Sequence, residues 1–312
     1  MSILVELPLE LYDPRAFDDF HPAGDFHRGT ARAMAWMSQL AYETEHPEKI
    51  AALCSTWKLS NPVIIATPPP PGLPVAHTRG VMVEGAGATI LAFAGSDPLV
   101  PTNWFNNFDI KLTGASELSA GNVHRGFTVA ARSVWDQVQA GLAVRRSQPV
   151  ILTGHSLGGA FAVVTADLML VDHNLRAACI YAFGMPRVGD EGFAQRYNDT
   201  LGTTTYRVVN GDDVVTTVPP SRLGFRHVGR LLRCARGAKI AADATPRSGF
   251  SDDPQFASSL ASGLQQGLVD LFALRLQPSF RNDLLGRMSG LLAPPIADHL
   301  PDRYCHALDA ID

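Results

Sequence analysis

The chain has 312 residues, of which 46% are hydrophobic and 18% are charged, a composition that can bury a large core and excludes a disordered protein. A length near 300 residues suits one large α/β domain, so we expect a single domain over residues 1–312. The formal net charge of −4 provides no positive field for gathering phosphates, so we expect no nucleic-acid partner.

The sequence gives no sign of an export signal or a membrane span. The only apolar run at the N-terminus, residues 3–5, follows no Lys or Arg and is closed by Glu6, so we expect a protein that is cytoplasmic or secreted without a visible Sec signal. The strongest candidate for a span, Phe256–Leu276, contains two Gln, one Asp and one Arg, and we therefore predict no transmembrane segment. Four widely spaced Cys favour free thiols, with two disulfide bridges as the alternative.

The first ninety residues change from helical to strand periodicity. In chain order they predict a helix from Phe26 to Tyr42, a short helix near Pro47–Trp57, and strands at Val63–Ala66, Val81–Val83 and Thr89–Phe93. Residues 85–87, Gly-Ala-Gly, predict a hairpin turn between the last two strands.

From residue 123 strands alternate with helices. The pattern predicts a long helix from Val123 to about Arg146, a strand at Pro149–Thr153, a helix from Ser156 to about Val171, a strand at Ala178–Phe183, a helix near Glu191–Leu201 and a strand at Thr205–Val209. Such alternation is typical of an α/β fold in which helices cover both faces of a mostly parallel sheet.

A different pattern occupies residues 235–297. Asp253 is a suitable N-cap and Pro254 a suitable first helical residue, after which apolar residues recur at every fourth position until Pro278. We interpret this segment as an insertion with an amphipathic helix that packs on the main core. A cap over a substrate pocket, a lipid-facing surface and a dimer contact are the alternatives.

The sequence Gly-His-Ser-Leu-Gly at residues 154–158 lies between a predicted strand and a predicted helix, the setting of a nucleophile elbow. A sharp turn there exposes the side chain of Ser156 at the head of a helix, whose dipole favours negative charge. We therefore predict Ser156 as a nucleophile; a simple glycine-rich turn is the alternative.

A serine nucleophile needs an imidazole base and a carboxylate that orients it, and on this type of sheet both follow the serine, the acid first. The candidate acids are Asp190, Asp199, Asp212 and Asp213. Asp213 is preferred because it follows a strand and directly precedes Val214, although Asp212 competes with it. The candidate bases are His227, His299 and His306. His299 is preferred because it stands in a loop before a terminal helix, whereas His227 lies in an apolar run and His306 in that helix.

Several further landmarks accompany the elbow in a fixed order. They are Phe93–Ser96, Asn103–Trp104, Val123–Phe127, Phe183–Gly189, Asp213–Pro220 and Asp298–His299. Over residues 80–305 this series resembles the fungal-type (class three) triacylglycerol lipases. The resemblance implies an α/β-hydrolase fold and a triad of Ser156, Asp213 and His299. It also implies an oxyanion hole formed by the backbone N–H of Leu157 together with Ser96, and a hydroxyl just after a buried strand suits that role chemically.

In that family the segment after the oxyanion residue is a movable lid. Here the lid would be residues 97–108, with Leu99, Val100, Trp104 and Phe105 as its substrate-facing residues; for Trp104 a core anchor is the favoured alternative. The chain departs from the family at Ala94, where arginine is usual, and in its long insertion before His299. Because of these two departures, the resemblance does not predict how the lid is tethered or how the acyl pocket is shaped.

The sequence thus predicts a serine carboxylic ester hydrolase that acts on lipid esters at a lipid–water interface through an acyl-enzyme intermediate, with triacylglycerols as the preferred substrates. This chemistry needs no metal or organic cofactor. The alternatives within catalysis are a phospholipase, a short-chain or feruloyl-type esterase, and an acyltransferase. A catalytically silent lipid-binding scaffold of the same fold is the alternative outside catalysis. The sequence leaves the oligomeric state undetermined.

Overall fold

The computed structural model describes residues 5–67, 78–95, 112–114, 121–145, 148–241, 243–247 and 297–309. The strands in these ranges are β1 (Ser60–Ala66), β2 (Arg79–Gly85), β3 (Ala88–Phe93), β4 (Leu112–Gly114), β5 (Asn122–His124), β6 (Val150–His155), β7 (Cys179–Phe183), β8 (Thr205–Asn210) and β9 (Arg230–Cys234). The α-helices are α1 (Arg28–Leu40), α2 (Pro47–Thr56), α3 (Arg125–Ser133), α4 (Trp135–Ala143), α5 (Leu157–His173), α6 (Glu191–Thr200) and α7 (Pro301–Leu308). Short 3₁₀ turns lie at Leu9–Leu11, Ala41–Glu43, Gly202–Thr204, Val214–Thr217 and Ser221–Leu223.

A seven-stranded sheet organises the part of the chain that the structure describes. Its order is β1-β2-β3-β6-β7-β8-β9, and β4 and β5 form a separate antiparallel pair. The first three strands of the large sheet are antiparallel, and every pairing from β3 to β9 is parallel. The register aligns Phe93 with Gly154 and aligns His155 with Phe183, so that the chain leaves β3, β6 and β7 at one common edge.

Helices cover both faces of this sheet, because its central strands are apolar on both sides. On one face Leu152 and Ile180 pack with apolar residues of α3, α4, α5 and α6. On the other face Ile151 and Tyr181 pack with residues of α1, α2 and α7. The α/β fold with a mostly parallel sheet between two helical layers is therefore confirmed.

Most of the predicted elements are present with shifts of one to three residues at their ends. The turn between β2 and β3 has Ala86 at φ 49° and Gly87 at φ 80°, the two left-handed residues of a tight hairpin, as the glycine-rich sequence predicts. The predicted helix from Val123 to Arg146 is wrong in two respects. Residues 122–124 form β5, and the helix is broken at Val134, whose φ of −111° and ψ of 3° end α3 before α4 begins.

Several predictions concern residues outside the described ranges. These are the lid at residues 97–108 and the helix within the insertion between Asp253 and Pro278. The single-domain assignment stays a prediction. The four cysteines, all buried, are unpaired, as their spacing indicates. Among the described residues, no helix has the length and apolar character needed to cross a membrane.

Candidate active site

The G-x-S-x-G sequence forms the connection between β6 and α5. Ser156 has φ 61° and ψ −127°, a conformation that L-residues rarely adopt and that the surrounding structure must hold in place. Its backbone N–H donates to the carbonyl of Phe183 at 2.7 Å, and its carbonyl accepts from Gly159 at 3.0 Å. A Cβ at Gly154 would lie 2.2 Å from the backbone of Gly158, so the sharp turn requires glycine there.

Gly158, in the first turn of α5, is constrained in the same way by the neighbouring strand β3. A Cβ at this position would lie 2.2 Å from the carbonyl oxygen of Phe93, at the end of β3. The two glycines of the sequence therefore bring α5, β6 and β3 together closely enough to place Ser156 at the edge of the sheet.

Asp213 follows β8 after a two-residue turn that contains Gly211 at φ 51°. Its Oδ1 accepts from the backbone N–H of Val215 at 2.8 Å and so caps the 3₁₀ turn Val214–Thr217. The carboxylate is completely buried. Asp213 thus has a fixed orientation, with Oδ2 left for other donors.

His299 lies in the connection that leads into α7, and its side chain contacts both Asp213 and Ser156. Its Nδ1 is 2.8 Å from Asp213 Oδ2, and its Nε2 is 2.8 Å from Ser156 Oγ. Only 8% of the His299 side chain is exposed. The structure therefore brings Ser156, His299 and Asp213 into one continuous hydrogen-bonded series, which has the geometry needed to move a proton from the hydroxyl to the imidazole.

The competing acids have other partners. Asp212 is bonded to Arg236, whose Nη2 lies 2.9 Å from Asp212 Oδ2. Asp190 caps α6 by accepting from Phe193 N at 2.9 Å, and Asp199 lies exposed on the same helix.

The competing bases are also engaged elsewhere. His227 Nε2 lies 2.7 Å from the carbonyl of Thr216, and the histidine precedes β9 rather than lying within a strand from Phe225 to Leu232. His306 has a side chain that is 60% exposed, and its Nδ1 lies 2.9 Å from Asp309 Oδ2.

Tyr304, on α7, was not among the predicted site residues. Its hydroxyl donates a short hydrogen bond to Asp213 Oδ2 and accepts from the backbone N–H of Asn210 at 3.3 Å. Burial, together with the adjacent Asp213 carboxylate, raises the pKa of Tyr304 well above its usual value, so the hydroxyl stays a donor. The available signal was its place five residues after His299, one turn into the helix that the sequence predicts.

His155 was also missed, although it lies inside the elbow sequence. Its Nε2 is 2.7 Å from the backbone oxygen of His299, and its Nδ1 is 2.8 Å from the hydroxyl of Tyr42. Burial and the neighbouring His299 hold the pKa of His155 well below its usual value. A fully buried, neutral histidine therefore lies directly behind Ser156 and the His299 imidazole that faces it.

A second set of contacts holds the backbone beside His299. Asp298 accepts from Arg236 Nε at 2.8 Å and from the backbone N–H of Asp212 at 2.8 Å, and its carbonyl accepts from Asn210 Nδ2 at 3.1 Å. The connection that carries His299 is thereby bonded to the turn that carries Asp213.

The predicted oxyanion and lid residues differ in what the structure describes. Leu157 is the first residue of α5, and the first N–H groups of a helix have no partner within it, so its amide is suitably placed beside Ser156. Ser96 and the lid residues Leu99, Val100, Trp104 and Phe105 lie outside the described ranges. The residue before Ser96 is described: a Cβ on Gly95 would lie 2.8 Å from Ser156 Cβ, so β3 ends against the elbow.

Within the described ranges, no His, Cys, Asp and Glu side chains are grouped as a metal site requires.

Comparison with known proteins shows which family the chain resembles. Residues 90–223 match the sequence model of the family described as Lipase (class 3). This match takes in fewer than half of the chain's residues, and over it the chain is similar to class 3 lipases.

Individual relatives and solved structures show the same similarity. The chain is 36% identical over 129 residues to a secreted mono- and diacylglycerol lipase of Fusarium solani, a match that covers 40% of this chain and 38% of the relative. It spans about two fifths of the length of the curated relatives that it matches. In fold it is similar to lipase II of Rhizopus niveus, with a TM-score of 0.59 at 21% identity over 76% of this chain and 91% of that one. A triacylglycerol lipase whose catalytic centre is a serine protease triad superposes with a TM-score of 0.52 at 27% identity, over 65% of this chain and 78% of that one.

The class 3 lipase match contains Ser156, Leu157 and Asp213, whereas His299 lies beyond its end. The long insertion separates His299 from the matched segment in sequence, and the sheet topology returns it to the edge where β6 and β8 end. The position of the histidine therefore rests on the contacts observed in the structure and not on the family match.

Proposed function

We propose that the chain is a serine carboxylic ester hydrolase acting on lipid esters, with acylglycerols as its substrates, and that Ser156, His299 and Asp213 are its catalytic triad. The observation that carries the proposal is the pair of 2.8 Å contacts that His299 makes, from Nε2 to the Ser156 hydroxyl and from Nδ1 to the Asp213 carboxylate. A serine hydroxyl becomes a nucleophile when an oriented imidazole removes its proton, which is what this arrangement supports.

The reaction would proceed in two balanced halves. Ser156 Oγ attacks the ester carbonyl carbon while its proton passes to His299 Nε2, and the resulting tetrahedral oxyanion accepts hydrogen bonds from the N–H of Leu157 and from Ser96. His299 then gives the proton to the departing alcohol as the ester bond breaks, which leaves an acyl-Ser156. Water then repeats the sequence: it loses a proton to His299 and attacks the acyl carbon. As the bond from that carbon to Ser156 Oγ breaks, His299 returns the proton to Oγ and the fatty acid is released.

The triad residues adjoin the apolar core of the protein, and the substrate class is supported by a relative. Val214 and Val215 directly follow Asp213, and Leu300 directly follows His299. All three belong to the apolar cluster that includes Leu157 of the elbow. The Fusarium relative is named a mono- and diacylglycerol lipase, which supports acylglycerols as the substrate class, and its name as a secreted protein favours secretion among the two expected locations.

The test is hydrolysis of p-nitrophenyl esters from acetate to palmitate by the wild type, Ser156→Ala, His299→Ala and Asp213→Asn. We expect turnover by the wild type and a loss of at least about 10³-fold in kcat in each variant, because members of such a triad act as a unit. A fluorophosphonate probe should label the wild type and leave Ser156→Ala unlabelled. Glycerolipid and phospholipid substrates, assayed side by side, would then separate a lipase from a phospholipase, and a preference for acetate would indicate a short-chain esterase.

Two results would contradict the proposal. A wild type that neither hydrolyses any ester nor reacts with the probe would support the catalytically silent scaffold. Full activity in His299→Ala would require a different base. His227→Ala is the matched control, because His227 is equally buried but bonded to Thr216, and it should retain activity.

A further inference from the structure

The imidazole of His155 is enclosed behind the proposed triad and makes a specific contact at each nitrogen. Nε2 is 2.7 Å from the carbonyl oxygen of His299, and Nδ1 is 2.8 Å from the Tyr42 hydroxyl. The rings of His155 and His299 lie 4.6 Å apart, and the ring of Tyr304 lies 5.5 Å from His155. His155 occupies the variable position of the G-x-S-x-G sequence, so the elbow itself does not require a histidine there.

These contacts determine which nitrogen carries the proton. A carbonyl oxygen only accepts hydrogen bonds, so Nε2 must be the protonated nitrogen that donates to His299. In a neutral ring the other nitrogen, Nδ1, is then an acceptor, and the Tyr42 hydroxyl donates to it. The direction of donation is therefore fixed from Tyr42 through His155 to the backbone of His299.

This direction matters because His299 has no regular secondary structure of its own. It precedes α7, which begins at Pro301, and its position depends on contacts from neighbouring elements. Asn210 on β8 holds the carbonyl of Asp298, and His155 on β6 holds the carbonyl of His299. Because Ser156 directly follows His155, one pair of adjacent residues presents the nucleophile and also anchors the imidazole that faces it.

We propose that His155 is a positioning residue for ester hydrolysis: its Nε2–H fixes the backbone of His299 so that the imidazole reaches Ser156 and Asp213 together, and Tyr42 acts through His155. The proposal rests on the proposed function, since it assigns a role within that triad. Its physical basis is that a displacement of about 1 Å between a nucleophile and its base lowers the rate by about 100-fold.

Four variants of the full chain test the proposal: His155→Phe, which keeps a ring without polar atoms; His155→Gln, whose amide can still donate to the carbonyl; Tyr42→Phe; and the double variant His155→Phe/Tyr42→Phe. Tyr197→Phe is the matched control, because it removes a buried tyrosine hydroxyl that is bonded to Thr205 and lies away from the triad. For each, kcat and KM are measured on a p-nitrophenyl ester across pH, together with the rate of fluorophosphonate labelling.

We expect His155→Phe to lose about 10–100-fold in kcat and in labelling rate with KM nearly unchanged, because the geometry of proton transfer rather than substrate binding is disturbed. His155→Gln should recover a large part of kcat. Tyr42→Phe should lose less than His155→Phe, and its effect should shrink in the His155→Phe background, as expected for residues in one hydrogen-bonded series.

Unchanged kcat and an unchanged labelling rate in folded His155→Phe would overturn the proposal. An equal loss in His155→Gln and His155→Phe, or a Tyr42→Phe effect that persists undiminished in the double variant, would overturn it as well. If thermal melting shows that His155→Phe does not fold, Tyr42→Phe becomes the deciding variant. A wild-type kcat in Tyr42→Phe would then refute the proposal that hydrogen bonds from Tyr42 through His155 position His299. Failure of the proposed function is distinct, because there the wild type itself would be unreactive toward both the ester and the probe.

Discussion

A single carboxylate oxygen, Asp213 Oδ2, serves two partners in this site. It faces His299 Nδ1 at 2.8 Å and also accepts from the hydroxyl of Tyr304, while Oδ1 is taken by the N–H of Val215. A buried carboxylate needs such donors, because without them its charge would be poorly solvated. Tyr304 therefore competes with His299 for the same oxygen and at the same time makes the buried charge tolerable.

The variant Tyr304→Phe separates those two effects. We expect it to lower the free energy of unfolding by about 1.5–3 kcal/mol, the usual contribution of a hydrogen bond to a charged group. We also expect kcat for ester hydrolysis to fall by roughly tenfold, equivalent to about 1.4 kcal/mol, because Asp213 keeps its contacts with His299 and Val215. Urea unfolding and steady-state kinetics measure the two quantities. A destabilised variant with wild-type kcat would restrict Tyr304 to a structural role, and Tyr197→Phe serves as the control for hydroxyl loss.

At the level of elements, three parallel strands leave the sheet in the same way. A residue with left-handed φ follows each of them: Ser156 at 61° after β6, Gly184 at 60° after β7 and Gly211 at 51° after β8. At Gly184 an added Cβ would lie 2.7 Å from Asp213 Oδ2 and 3.0 Å from His299 Nδ1; at Gly211 it would lie 2.3 Å from Asp298 Oδ2. Two of the three turns are therefore glycine because the triad or its anchor fills the space, and Ser156 alone keeps a side chain there.

Gly184→Ala tests this crowding against the effect of backbone conformation. Gly224→Ala is the matched control, because Gly224 also has left-handed φ, 89°, but a Cβ there meets no heavy atom within 4 Å. Both variants should lose stability by about 1 kcal/mol or more through the unfavourable φ. Only Gly184→Ala should also lose activity, by about 100-fold in kcat, since the methyl group displaces Asp213 or His299. Equal kcat in the two variants would contradict the steric argument.

At the level of the whole molecule, sequence reasoning recovers what depends on local pattern and chain order. The alternation of strands and helices predicts the parallel sheet, and the elbow sequence together with the order of the acid and the histidine favours Ser156, Asp213 and His299 among the candidates. It does not find contacts between distant segments. Tyr304 is 91 residues from Asp213 and Tyr42 is 113 residues from His155, and only the folded topology brings these pairs together.

The same limit explains the ambiguity between the two adjacent candidate acids. Asp212 and Asp213 are adjacent residues of the same type. They are distinguished by Arg236, which binds Asp212 and Asp298 from a later segment. The break at Val134 was missed for a different reason. The apolar spacing of α3 continues into α4, and Val134 is itself buried, so periodicity carries no sign of the interruption.

The folded chain also encloses two histidines in a neutral state, with consequences for the stability of the molecule in acid. Burial lowers the pKa of His155 and of His227 well below the usual value; the adjacent His299 adds to the effect at His155, and Arg207 and Arg187 add to it at His227. In the unfolded chain both would take up a proton near pH 6.5. Below that pH the unfolded state binds more protons than the folded state, so the free energy of unfolding must decrease as the pH falls.

His227→Gln measures this contribution without touching the proposed triad, because Gln can still donate to the carbonyl of Thr216. Between about pH 5 and pH 6 the wild type should lose up to about 1.4 kcal/mol per pH unit through His227 alone, and the variant should lack that part of the slope. Urea unfolding at a series of pH values gives both slopes, and subtraction removes the titration of carboxylates common to the two proteins.

His306→Gln is the control of opposite sign. The Asp309 contact raises the pKa of His306, so the stability that it contributes is fully present below about pH 6.5 and is lost as the pH rises through the raised value. Loss of His306 should leave the pH dependence of the free energy of unfolding between pH 5 and pH 6 unchanged. If His227→Gln also leaves that pH dependence unchanged, the folded protein accommodates a charged His227 and the prediction is wrong.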